Sequence, residues 1–311
     1  MCVTRMQRPS MDAYKNCHLC PRECGADRTA GERGACGMDA EIKAARAALH
    51  FWEEPCLSGT EGSGTVFFSG CPLGCIYCQN HEISAGQSSP GKILTEDELA
   101  DAFLRLQAQG ANNITLVTAV HFIPSVRTAL ILAKEKGLSI PVVYNSSGYE
   151  KQESLQMLEG LVDIWLPDFK YWEGDTAAKY SRCPDYPERA KEALREMVRQ
   201  SGPPMFDSDG HMTRGVIVRH LVLPGQTGAA KRILRYLHDT YGNLIYISIM
   251  NQYTPMPGIE RQAPELAGRV PAADYEKVIS FALRIGIELA FRQEGEAAEE
   301  SFIPAFDGAG L

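Results

Sequence analysis

From Thr65 to Met250, short apolar and β-branched runs alternate with stretches of helical period, which restricts the chain to an α/β fold around a mainly parallel sheet. The runs are TVFFS (65–69), NITLVT (113–118), PVVYN (141–145), VDIWL (162–166), GVIVRHLVL (215–223) and LIYISIM (244–250). Between the first two, Thr95 and Glu98 have the spacing of a capping box, Leu99, Phe103 and Leu106 keep helical spacing, and Gly110 supplies a stop. Similar helical periods follow near 126–136, 187–200, 228–239 and 272–285. Six strand–helix units predict an α/β fold, a partial (β/α)6 TIM-like barrel over residues 60–290. A small four-cysteine module over 1–45 would precede it, and an extension over 291–311 would follow.

The chain has ten cysteines, and seven fall in two tight clusters. In a chain of 311 residues that can bury a core unaided, such clusters read as metal ligands or redox groups. The segment GCPLGCIYCQN puts Cys71, Cys75 and Cys78 directly after a predicted strand, where barrel enzymes gather their chemistry. Three thiolates on a four-iron cube leave one iron open to a chelating amino acid. The rival is a structural zinc site in which His81 joins the three cysteines. Four ligands in eleven residues leave little chain to wrap a tetrahedron, whereas zinc sites pair two short knuckles across a longer loop.

The Cys-x3-Cys-x2-Cys spacing, with Tyr77 before the last cysteine, resembles the radical S-adenosylmethionine superfamily. Within it, FFSGCPLGCIYCQN is most similar to pyruvate formate-lyase activating enzymes and their uncharacterised relatives. The likeness extends to the CxLCPRxCG segment, ARAALHFWEEP, HLVLPG at 220–225, NQYTP at 251–255 and FIPAFDG. It implies a [4Fe-4S] cluster on Cys71, Cys75 and Cys78, with S-adenosyl-L-methionine as the group cleaved reductively to a 5′-deoxyadenosyl radical. It implies further that Tyr77 contacts the adenine, that Asn145 lines the ribose region, and that Lys170 and Arg219 approach the methionine carboxylate. The family's Gly-Gly-Glu segment is replaced here by LVTAVHF at 116–122, so Thr118 and Ala119 are the candidates to receive the methionine amino group. The same resemblance implies an electron donor such as flavodoxin or ferredoxin and a glycyl radical protein as substrate, with a radical lyase or isomerase acting on a small molecule as the alternative. From another class, the chain would be an iron–sulfur or zinc protein without catalysis.

Cys17, Cys20, Cys24 and Cys36 supply four thiolates, enough to close the shell of a zinc or of an auxiliary [4Fe-4S] cluster, in a segment with no sustained hydrophobic period. Cys2, Cys56 and Cys183 are unpaired by spacing and read as ordinary small residues. His121 and His220 stand at or beside strand ends and are weighed as site candidates against the commoner fate of a core histidine.

With 31 Lys and Arg against 39 Asp and Glu, the net charge of −8 argues against duplex nucleic acid as a partner. The chain lacks an apolar run of about 20 residues, and MCVTRMQRPSMDAYK lacks an apolar signal region. A cytoplasmic protein without membrane partners is expected.

Overall fold

Near-continuous burial along the central strands shows that both faces of the sheet are covered, and the resulting α/β architecture is the one expected. The computed structural model describes residues 11–84, 86, 88–293 and 303–311. Its strands are β1 (Ile42–His50), β2 (Ser63–Phe68), β3 (Lys92–Leu94), β4 (Ile114–Val117), β5 (Val142–Ser146), β6 (Ile164–Pro167), β7 (Met205–Phe206), β8 (Met212–Leu221), β9 (Tyr246–Met250) and β10 (Ala290–Arg292). The six expected runs become β2, β4, β5, β6, β8 and β9, parallel neighbours in that order. Short β10 adds a further parallel strand beside β9. At the opposite edge β1 and β3 run antiparallel, and the sheet does not close on itself.

The expected helices are Glu96–Ala108, Ile123–Glu135, Tyr186–Ser201, Thr227–Tyr241 and Ala272–Arg284. Thr95 caps the first with both halves of the capping box in place. Val66, Leu116, Tyr144, Trp165, Val216 and Val218 point to the helix-covered face, where they share one core with Phe103, Val126, Leu130, Ile233 and Leu237. Because side chains alternate along a strand, the residues between them face the other way. There Val143, Ile164, Leu166 and Ile217 form an apolar layer with Cys56 and Leu57, and Phe67 and Val117 form another with Ala45 and Phe306. Full burial of each large side chain contributes about 1.5–3 kcal/mol, so this alternation fixes which residues remain free to face a ligand.

One strand was not anticipated from the sequence, and one segment departs from expectation. The run IKAARAALH is alanine-rich and of helical propensity, yet it forms β1, since pairing with β2 and β3 satisfies its backbone. Its alanines admit a close neighbour: Gly308 donates to the Ala45 carbonyl and Ala47 to that of Ala309. A Cβ on Gly310 would sit 1.9 Å from the Ala47 oxygen, so only glycine fits there. The four-cysteine segment, expected to lack an apolar core, has a small one of Tyr14, Cys17, Leu19 and Ala40 against Met157. It docks on the helices that cover the sheet: the Tyr14 hydroxyl donates to Ser125 Oγ at 3.1 Å, and Ser154 Oγ donates to the Leu19 carbonyl at 2.7 Å. Cys2 lies outside the described residues. Cys56 and Cys183 are buried, as expected of small core residues. Among the described residues no helix is long and apolar enough to cross a membrane.

Candidate active site

The loop after β2 carries Cys71, Cys75 and Cys78, positioned by Gly70 and Gly74 in the left-handed region. Gly70 is also packed tightly, since a Cβ there would meet Met38 Cγ at 2.5 Å and the Cys36 carbonyl at 2.8 Å. The Cys71 amide donates to that Cys36 carbonyl at 3.3 Å, so the four-cysteine segment lies directly on the loop. Burial pushes the Cys71 thiol up to about 12, and negative charge on Cys75 and Cys78 pushes it the same way. Cys78 is raised by burial and by Cys75, against the lowering effects of Ser84 and Lys170. Three thiols in one loop are a donor set that would fit an iron–sulfur cluster with one open iron.

Hydroxyl donors meet these sulfurs. Ser181 Oγ lies 2.9 Å and the Tyr171 hydroxyl 3.8 Å from Cys75 Sγ, and Ser84 Oγ lies 3.4 Å from Cys78 Sγ. Lys170 stands beside them, with its ammonium 2.5 Å from Asp168 Oδ2. Burial alone would pull Lys170 down, but Asp168 and the Cys75 sulfur hold it above the ordinary lysine range. Tyr77 is buried in a cluster of tyrosines, its ring 6.4 Å from Tyr171 and 6.2 Å from each of Tyr180 and Tyr253.

A second group lies on the concave strand face, one step beyond the apolar layer of Val143 and Ile217. There Asn145 on β5, Arg219 on β8 and Ser248 on β9 line a cleft of about 310 Å³ with His50, Glu53, Gln79 and Gln252. The chain after β1 brings in Glu53 and Glu54, whose side chains are each only 5% exposed. Arg219 donates to Glu54 through Nε at 2.8 Å and Nη2 at 2.7 Å, and its Nη2 also contacts Glu53. Asn145 Nδ2 donates to Glu53 Oε1 at 3.4 Å. Burial would raise the Glu54 carboxyl, yet Arg219 and Ser248 together hold it below the usual carboxylate range. Gln79, the residue after Cys78, joins the two groups by donating to the Gln252 carbonyl at 2.9 Å.

Thr118, at the end of β4, has φ of +60°, and its amide donates to the Asn145 carbonyl at 3.0 Å. A β-branched residue in the left-handed region stores about 1–3 kcal/mol of strain, a feature that clusters at functional sites.

The two histidines play other parts. His220 lies on the helix-covered side of β8, where its Nδ1 is 2.7 Å from the Phe169 carbonyl. His121 is buried with Nε2 2.8 Å from the Ser69 carbonyl. Each pins backbone, and neither lines the cleft or the cavity bordered by Cys36, Cys71, Cys75 and His81. Sequence reasoning missed Glu53, Glu54, Ser181, Tyr171 and Arg22 as site residues. The HFWEEP and CPRECG blocks carried the signal for three of them, but nothing local assigns them a role.

A family model described as the radical SAM superfamily matches residues 65–237, more than half of the chain, and spans the cysteine loop and the strands through β8. The chain belongs to the radical SAM superfamily. As a radical SAM enzyme it is implied to carry a [4Fe-4S] cluster and to bind S-adenosylmethionine. It is 26% identical over 287 residues to an uncharacterised protein of Methanocaldococcus jannaschii, covering 89% of this chain and 77% of that one. Among solved structures it is similar to HydG, a maturase of the [FeFe]-hydrogenase, at 16% identity and TM-score 0.49, covering 71% of this chain and 49% of HydG. The chain thus spans about half the length of HydG. It is also similar to the catalytic domain of a chitinase from Pyrococcus furiosus, at 11% identity and TM-score 0.38, covering 64% of this chain and 71% of that domain.

In the N-terminal segment, Cys24 and Cys36 flank Gly34. A Cβ on Gly34 would lie 3.2 Å from Cys24 Sγ and 3.6 Å from Cys36 Sγ. Burial, with Cys36 and Cys17 adding to it, pushes the Cys20 thiol up to about 12. Arg28, almost fully buried, places Nη1 3.7 Å from Cys17 Sγ and 2.6 Å from the His121 carbonyl. Among the described residues, no three His, Cys, Asp or Glu side chains are grouped as ligands of a single metal ion.

Proposed function

We propose that this radical SAM enzyme abstracts hydrogen from a small polar molecule held in the cleft beside Arg219. Cys71, Cys75 and Cys78 would hold the cluster, which would supply the electron for reductive cleavage of S-adenosylmethionine. The observation that carries the substrate reading is the position of the cleft: a polar cavity of about 310 Å³ that reaches Gln79, the residue following Cys78. Its walls offer carboxylate, amide and hydroxyl groups in a mostly buried setting, the arrangement by which enzymes orient small polar ligands.

In this reading Lys170 meets the methionine carboxylate, because its ammonium stands beside Cys75 and Cys78. Arg219 is already bound by two carboxylates, so its part is to fix Glu53 and Glu54 in the cleft wall. Thr118 with Ala119 receives the amino group, Asn145 lines the ribose region, and Tyr77 borders the adenine. Cys17, Cys20, Cys24 and Cys36 hold a second metal centre, and a flavodoxin or ferredoxin delivers the electron.

The second reading is a glycyl radical protein as substrate, favoured by the similarity of FFSGCPLGCIYCQN to pyruvate formate-lyase activating enzymes. Anaerobic incubation of the reduced enzyme with deuterated cell extract, split into protein and small-molecule fractions, separates the two. Deuterium in 5′-deoxyadenosine from the small-molecule fraction supports the proposal. Transfer from the protein fraction alone replaces it with the glycyl radical reading, and absence of 5′-deoxyadenosine supports a non-catalytic iron–sulfur protein.

A further inference from the structure

Arg22 projects from the four-cysteine segment into the gap between the cluster loop and the turn that ends the helix Gly174–Ser181. Its guanidinium donates to four main-chain carbonyls. Nε reaches Pro72 at 2.8 Å and Nη2 reaches Leu73 at 3.2 Å, both in the cluster loop. Nη2 also reaches Ser181 at 2.7 Å, and Nη1 reaches Arg182. The last two are carbonyls that a helix C-terminus leaves without partners, a place where a cation is favoured twice over, by hydrogen bonding and by the helix dipole. Arg182 itself turns through the left-handed region, φ +53°, which ends the helix there.

The turn so fixed carries the donor nearest to Cys75. Ser181 is fully buried, its Oγ lies 2.9 Å from Cys75 Sγ, and the Tyr171 hydroxyl lies 2.6 Å from Ser181 Oγ. Ser181 Oγ donates to the sulfur, and the Tyr171 hydroxyl lies within reach of both Ser181 Oγ and Cys75 Sγ. One side chain therefore ties the thiol-bearing loop to the element that hydrogen-bonds its middle thiol.

We propose that Arg22 is a positioning residue of the cluster site, and that it holds the Ser181 hydroxyl on the Cys75 sulfur to ease one-electron reduction of the cluster. The reduced cluster carries one more negative charge, and a hydrogen bond to a ligating sulfur stabilises that charge, so the donor raises the reduction potential. The inference rests on the cluster reading above.

Anaerobically reconstituted full-length protein, titrated potentiometrically and followed by electron paramagnetic resonance, gives the test. Ser181→Ala should keep its iron and shift the potential to a more negative value. Arg22→Ala should shift it the same way, and Arg22→Lys, which keeps the charge without the planar fork, should shift it part of the way. Adding Arg22→Lys to Ser181→Ala should give no further shift, since the donor is already gone. A wild-type protein without a cluster overturns the cluster reading, and this inference with it. A full cluster with unchanged potential in Ser181→Ala overturns this inference alone, as does a further shift in the double variant. Where Arg22→Ala does not fold, Arg22→Lys decides: a potential equal to that of wild type overturns the role given to Arg22.

Discussion

Arg219 and Glu54 meet side on, Nε and Nη2 of the guanidinium each donating to a different carboxylate oxygen, at 2.8 and 2.7 Å. This bidentate pair forms part of the cleft wall, and Glu53 adds a second carboxylate to the same nitrogen. Removing the arginine would strand two mostly buried negative charges. Arg219→Ala should therefore lower stability by about 3–5 kcal/mol, and Arg219→Lys should recover only part of it because an ammonium cannot match the fork. Urea unfolding midpoints of the three proteins check this, and equal midpoints would contradict the ion triad.

His220 makes a pH-dependent contribution. Burial depresses its imidazole to about 4, against the opposing effects of the Phe169 carbonyl and Asp168. The unfolded chain, with an ordinary histidine near 6.5, binds more protons than the folded chain between those values. Its stabilisation is therefore fully present above about pH 6.5 and is lost as the pH falls through about 4. His220→Asn, which keeps an amide donor near the Phe169 carbonyl, should flatten the fall in melting temperature over that window. A variant that tracks wild type across the whole range would show that His220 titrates normally.

The parallel sheet was legible because β-branched runs such as VDIWL and PVVYN are buried on both faces and stand between helical periods. β1 was not, because the alanines of IKAARAALH carry no strand preference and only pairing with β2 reveals it. In the candidate site, the three cysteines are proposed from their spacing. Lys170 was placed through the likeness to related enzymes, and its charge is felt with those of Cys75 and Cys78. Glu53 and Ser181 could not be found from sequence, since their partners Asn145 and Cys75 lie 92 and 106 residues away along the chain. His220 illustrates the reverse case: its strand-end position suggested a site, but the two-residue period of β8 turns it toward the helices.

Lys170→Ala should weaken S-adenosylmethionine binding while leaving the cluster assembled, because the ammonium is proposed to meet a carboxylate and not to ligate iron. A charge-assisted contact is worth about 1.5–3 kcal/mol, or roughly ten-fold to a hundred-fold in affinity. Equilibrium titration of the reconstituted variant measures it. An unchanged affinity at full iron content would remove Lys170 from the binding site.

A Cys71/Cys75/Cys78→Ala triple variant should retain metal at Cys17, Cys20, Cys24 and Cys36. Elemental analysis of anaerobically prepared protein distinguishes the alternatives. About one zinc per chain identifies a closed tetrahedral site, whereas about four irons with matching sulfide identify an auxiliary cluster. Folded protein holding neither would leave the four cysteines without the role proposed for them.

Product formation by the reduced, reconstituted enzyme bears most directly on the central claim. Wild-type protein supplied with S-adenosylmethionine and a strong one-electron reductant should yield methionine and 5′-deoxyadenosine in equal amounts, and Cys75→Ala should yield neither. Cleavage by Cys75→Ala at the wild-type rate, or none by wild-type protein with its cluster intact, would contradict the account.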